Sequence, residues 1–193
     1  MLFYIILSFA ISAILIPLII FFCHKQGWFD KTNERKVHSG SIPRLGGVGF
    51  FVAFAITTFF YINNEVNFSL GNFLPIIIAG LIIFLFGIID DFLDLPAKLK
   101  FLVQVIATFI MIFSGTRFTQ LGPLKFGILS CPITLSWTLG VIDGCNLSDG
   151  VHSLCGSIST LILLTFGFLY FVASRLDIAG ICFILAAAII GFL

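Results

Sequence analysis

No charged residue lies between Met1 and Cys23, and a run of that length and character restricts a chain severely. A hydrocarbon core near 30 Å needs a helix of roughly 20 apolar residues, in which every backbone N–H and C=O is satisfied within the segment. The pattern recurs. Apolar runs near 2–23, 46–62, 73–89, 99–114, 126–142, 151–173 and 178–193 predict about seven transmembrane helices. The fourth is the shortest and has Lys100 and Gln104 near its start, so it must tilt or send its lysine to the interface. Every Lys, Arg, Asp and Glu falls in a connection or at a span end, as lipid-facing helices require.

Composition agrees with that division. The 193 residues are 60% apolar and 10% charged, with mean hydropathy +1.19, far from a soluble domain. The fold class is therefore all-α, a polytopic bundle embedded in a lipid bilayer. Net charge is only +1, which gives no basic field for nucleic acid. Cys23, Cys131, Cys145, Cys155 and Cys182 are an odd count without a CxxC pair and read as buried free thiols. The first apolar run lacks a basic leader and is long enough to span, so it reads as the first helix rather than a cleaved signal. No repeat or linker divides the chain, and 1–193 reads as one membrane domain.

Orientation follows from the bases. Connections 24–45, 90–100 and 143–150 share one side and carry Lys25, Lys31, Arg35, Lys36, Arg44, Lys98 and Lys100; the other side has Arg117, Lys125 and Arg175. The base-rich side is cytoplasmic, which puts the N-terminus outside.

Three polar segments gather on that side. The first, HKQGWFDKTNERKVHSGSIPRLGG, combines bases and two histidines with glycines at 46, 47 and 49, where a helix N-terminus favours anions. The plainer reading is a positive anchor with glycines for helix packing. The second segment places Asp90 and Asp91 side by side at the end of a nearly uninterrupted apolar run. Carboxylates about 5–6 Å apart repel by roughly 3 kcal/mol at an effective dielectric near 20, and a helix C-terminus disfavours negative charge further. A metal, a base or a functional proton must offset that cost. Oxygen ligands at a site that handles phosphate suit Mg²⁺. Asp94 reads as an N-cap for the fourth helix, with Pro96 in its first turn. The third segment, VIDGCNLSDGVHS, adds Asp143, Asn146 and Asp149 as oxygen donors, turns at Gly144 and Gly150, and His152.

Together KVHSGSIPRLGG at 36–47, GIIDDFLDLPAKLKFLVQ at 87–104 and NLSDG at 146–150 resemble the polyprenyl-phosphate N-acetylhexosamine-1-phosphate transferases, glycosyl transferase family 4, which includes phospho-N-acetylmuramoyl-pentapeptide transferase. The resemblance implies transfer of a sugar 1-phosphate from a UDP-sugar such as UDP-GlcNAc to undecaprenyl phosphate. UMP is released, Mg²⁺ (or Mn²⁺) is required, and the setting is the cytoplasmic face of the bacterial inner membrane. The PRLGG loop resembles the branch that serves O-antigen or wall polymers.

Carried across by motif, Asp90 and Asp91 match the catalytic pair, and Asp91 with Asp149 the metal ligands. Lys36, His38, Arg44, Gly46, Gly47, Lys100, Gln104, Asn146, Asp149 and His152 match substrate-binding positions. A homodimer is the assembly left open. Where the family reads NxxDGxDG, His152 replaces the second acid. The chain also closes on AAAIIGFL, before the family's FxGDxGS-like segment and His-rich loop. The resemblance thus reads 1–193 as the N-terminal part of a longer fold, either a fragment or a truncated product inactive by itself. Two rival readings remain at this point. Asp90, Asp91 and Asp94 form DDxxD, as in membrane prenyltransferases, although Asn146 and Asp149 lack the spacing of a second acidic motif. A transporter or non-catalytic scaffold would use the carboxylates as an ion site, usually nearer mid-membrane.

Overall fold

The computed structural model describes residues 1–27, 45–65, 70–93, 95–148 and 154–193. Within them the chain forms α1 (Leu2–Gln26), α2 (Gly46–Glu65), α3 (Leu70–Leu93), α4 (Ala97–Phe113), α5 (Ser130–Ser148), α6 (Leu154–Val172) and α7 (Leu176–Phe192). A hairpin of β1 (Gln120–Leu121) and β2 (Leu124–Lys125) and a 3₁₀ turn at Gly127–Leu129 separate α4 from α5. Five helical stretches are long and apolar enough to cross a membrane: Leu2–Gln26, Gly46–Asn64, Leu74–Leu93, Gly127–Leu147 and Leu154–Val172. The protein is an all-α, multi-pass membrane protein. Helices α4 and α7, of 17 residues each, are about 25 Å long at 1.5 Å per residue, near the lower limit for a span.

The helices fall into two compact units, Met1–Phe68 with Ser148–Leu193, and Ser69–Leu147. In the first, α7 packs against α1, α2 and α6. Ser8 Oγ donates to Ile184 O (2.9 Å) and Ser12 Oγ to Ala188 O (2.7 Å), so α1 and α7 run parallel, matched turn for turn. Helix α2 runs antiparallel to α7, since Tyr61 Oη donates to Leu176 O (2.7 Å) while Gly46 faces Phe192. Helix α6 is antiparallel too: Gly167 abuts Phe183, and Gly156 abuts Leu193.

Small residues permit this packing. A Cβ on Gly191 would lie 2.8 Å from Phe9 O and 2.9 Å from Ser12 Cβ, and one on Gly180 would overlap the Tyr61 ring. Ala179, Ala186, Ala187 and Ala188 complete the buried face of α7. Lipid gives little hydrophobic drive between helices, so close backbone approach and hydroxyl-to-carbonyl bonds hold the bundle together.

Several local expectations are corrected. Pro96, not Asp94, occupies the N-cap of α4, and the helix begins at Ala97; Asp94 itself lies outside the described residues. Pro96 has no N–H to give and its φ of −65° leads directly into the helix. Helix α5 continues to Ser148 rather than stopping near 142, so Asp143, Gly144 and Asn146 are helical rather than in a turn. Extending an existing helix adds one hydrogen bond per residue, which offsets the roughly 1 kcal/mol that Gly144 costs relative to Ala. All five cysteines are free thiols, but only Cys23 is buried and Cys145 is exposed.

Candidate functional site

Asp90 and Asp91 occupy the last turn of α3, where the helix's own carbonyls make a negative environment. The connection to α4 supplies the compensation for Asp90. Its Oδ1 accepts the Leu95 N–H at 3.0 Å, and its Oδ2 meets Lys100 Nζ at 2.7 Å. Both oxygens of Asp90 thus hold the α3–α4 corner, one by a backbone donor and one by a cation. The pair is partly screened, with side-chain exposures of 24% for Asp90 and 40% for Lys100, so its net contribution is at most about 1 kcal/mol. Asp91, one residue further around the helix, is exposed.

Lys100 begins a polar stripe along α4. One turn on, Gln104 is only 7% exposed and donates from Nε2 to Asp143 Oδ1 on α5 at 3.4 Å. The next turn brings Thr108, whose Oγ1 donates to Gln104 O at 2.8 Å. Residues four apart lie on one helix face, so a single face of α4 carries the contact with Asp90 at α3 and the contact with Asp143 at α5. Gln104 Oε1 is buried and has no partner among the described residues. Asn146, three residues past Asp143, is exposed on the last turns of α5.

The structure therefore brings Asp90 to Lys100 and Gln104 to Asp143. Asp143 entered the sequence reading only as an oxygen donor near Asn146; its amide partner, 39 residues away, has no local signature. Gly46 and Gly47 open α2, where a Cβ on Gly46 would stand 3.1 Å from Phe192 and one on Gly47 would be in ordinary contact with Phe50. Gly46 thus allows close helix packing, the plainer of the two roles expected for it. Lys36, His38, Arg44, Asp149 and His152 lie outside the described residues. Among the described residues no three His, Cys, Asp or Glu side chains cluster as a metal cage.

Comparison with known proteins places these helices in context. The chain is 26% identical to a probable undecaprenyl-phosphate N-acetylglucosaminyl 1-phosphate transferase of Bacillus subtilis, over 93% of the chain and 51% of that protein. It is 29% and 30% identical to undecaprenyl-phosphate alpha-N-acetylglucosaminyl 1-phosphate transferases of Yersinia pestis and Salmonella typhi, over 88% of the chain and 47% of each. The chain thus spans about half the length of the curated relatives it matches. No solved structure matches it. The sequence model described as Glycosyl transferase family 4 matches residues 73–193, a stretch that includes the Asp90–Lys100 corner and the Gln104–Asp143 contact, and the chain belongs to that family.

Proposed function

We propose that the protein transfers an N-acetylhexosamine 1-phosphate, of which N-acetylglucosamine 1-phosphate is the member named in its relatives, from a UDP-sugar to undecaprenyl phosphate. The observation that carries this reading is the last-turn carboxylate pair: Asp90 neutralised by Lys100, Asp91 exposed beside it at the end of a membrane helix. A lipid phosphate can reach a site at that depth with its chain still in the bilayer. Family membership favours this chemistry over a DDxxD prenyltransferase or a transporter.

In the reaction an oxygen of the prenyl phosphate attacks the β-phosphorus of the UDP-sugar. One P–O bond forms, the bond to the bridging oxygen of the α-phosphate breaks, and UMP leaves. Phosphoryl transfer of this kind depends mainly on alignment and charge neutralisation. Lys100, fixed by Asp90, presents a positioned cation near the corner. Asp91, a carboxylate exposed in the last turn of α3, is suited to accept the prenyl phosphate's remaining proton. The donors described here are hard oxygens, with no thiolate or imidazole cluster among them. Such a set fits Mg²⁺, which commonly binds through one or two carboxylates plus substrate phosphate. Asp91 would supply one such carboxylate, and the ion would neutralise phosphate charge. The base-rich connections support a cytoplasmic setting for this face, and the bacterial relatives support the bacterial inner membrane as its location.

The test is UMP release by membranes carrying the protein expressed over its complete reading frame, supplied with UDP-N-acetylglucosamine and undecaprenyl phosphate. We expect release that depends on both substrates, stops with EDTA and returns with Mg²⁺. Substrate present, protein inserted and no UMP would sink the reading.

A further inference from the structure

The hairpin between α4 and α5 lies at the opposite ends of those helices from Asp90, Lys100 and Asp143. Its register pairs Gln120 with Lys125 and Leu121 with Leu124 around the two-residue turn Gly122–Pro123. Gly122 takes φ 57°, the left-handed conformation that a tight hairpin turn needs at its first central position. Directly opposed residues share a face and successive residues alternate. One face therefore carries Leu121 and Leu124, and the other carries Gln120 and Lys125.

Among the described residues nothing covers the leucine face: Leu121 is 71% and Leu124 66% exposed, and Ile128, just beyond the hairpin, is 94% exposed. Yet the hairpin's base is firmly bonded. Phe118 N–H donates to Thr134 Oγ1 (2.9 Å), Ser130 Oγ donates to Phe118 O (2.6 Å), and Phe126 N–H donates to Thr119 O (3.0 Å). Phe118 also meets the Trp137 ring edge-on at 5.9 Å. Three bonds fix an apolar surface that no described side chain covers.

We propose that this hairpin is a bilayer-surface anchor, with Leu121, Leu124 and Ile128 lying at the boundary of headgroups and acyl chains. Its position selects that occupant. The apolar span that becomes α5 begins at Gly127, two residues after Lys125, so the hairpin stands at the membrane edge by chain connectivity. Arg117 and Lys125, both exposed, flank the leucines, and basic side chains beside apolar ones suit the phosphates of that layer. The anchor fixes the depth of the α4–α5 pair from one end while the polar stripe of α4 works at the other.

Depth-dependent quenching tests this without reference to catalysis. Trp28→Phe and Trp137→Phe remove the native tryptophans, the latter keeping a ring against Phe118. A single tryptophan is then introduced as Leu121→Trp, Leu124→Trp or Gln120→Trp in the full chain. The proteins are reconstituted in phosphatidylcholine vesicles containing lipid brominated near the carbonyl end of its acyl chains. We expect bromolipid to quench the probes at 121 and 124 roughly twofold or more above the probe at 120, and aqueous acrylamide to show the reverse order, as for a two-faced interfacial element. Equal, strong acrylamide quenching at all three positions would place the hairpin in water and overturn the proposal. Protection at 121 and 124 from both quenchers would show that protein covers the face, and would overturn it too.

Discussion

The two units solve the problem of polarity in lipid in different ways. In the first, polar groups are spent on packing: Ser8, Ser12 and Tyr61 donate to backbone carbonyls of α7, and glycines bring the backbones together. In the second, side chains bond to one another, Asp90 in the last turn of α3 to Lys100 and Gln104 in the middle of α4 to Asp143. A hydroxyl that bonds a carbonyl leaves nothing over for a ligand, whereas charged side chains at a membrane edge keep capacity for a phosphate or a cation. Among the described residues, the first unit's bonds between helices serve packing, while the second unit carries the charged pair on which the proposed chemistry rests.

The sharpest way to break that division is to change one from each. Asp91→Asn removes a charge but no buried packing, and we expect UMP release to fall by at least about 10²-fold, the scale set by losing one charge-handling group at a reacting centre. Melting in detergent should move little. Gly191→Val should do the reverse. Its Cβ would press on Phe9 O and Ser12 Cβ, and overpacking of this sort costs about 1–3 kcal/mol, read as a lower melting temperature. Activity restored by cooling would confirm that the valine acts through the scaffold. A Gly191→Val protein as stable as the parent would break the account of α7.

A smaller effect sharpens the second unit. Lys100→Met, Asp90→Asn and the double variant form a cycle whose coupling energy in stability should be about 1 kcal/mol or less, given the exposure of both groups. A coupling near zero would mean that the Leu95 N–H alone holds Asp90 in place.

The parts of this arrangement that were legible in the sequence share one property: they are local. Hydropathy marks the spans because each helix must satisfy its own backbone. Asp90 and Asp91 stand out because charge next to a long apolar run is costly, and Lys100 and Gln104 share a face because four residues make about one turn. What escaped is either long-range or locally misleading. The bonds from Ser8 and Ser12 to α7 span 176 residues. The partner of Asp90 could have been any of several nearby bases. Asp143, Gly144 and Asn146 are turn-favouring residues that an existing helix carried along. The hairpin has two-residue strands, too short for an alternating pattern to be seen, although Gly122–Pro123 was a usable turn signal.

The smallest expected effects distinguish two hydroxyl-bearing residues within the scaffold itself. Ser12 is fully buried with its Oγ bonded to Ala188 O, and Thr57 is fully buried with an Oγ1 that has no partner among the described residues. Ser12→Ala discards a bond between helices, which in membranes averages about 0.6 kcal/mol, so a slight fall in thermal stability should follow. Thr57→Val keeps the shape and removes an unsatisfied acceptor, so stability should hold or rise, because replacing an unpaired buried polar atom by an apolar one removes its desolvation cost. A loss at position 57 equal to that at position 12 would show that Thr57 has a bonding partner in the membrane and that it, too, belongs to the packing bonds of α7's neighbours.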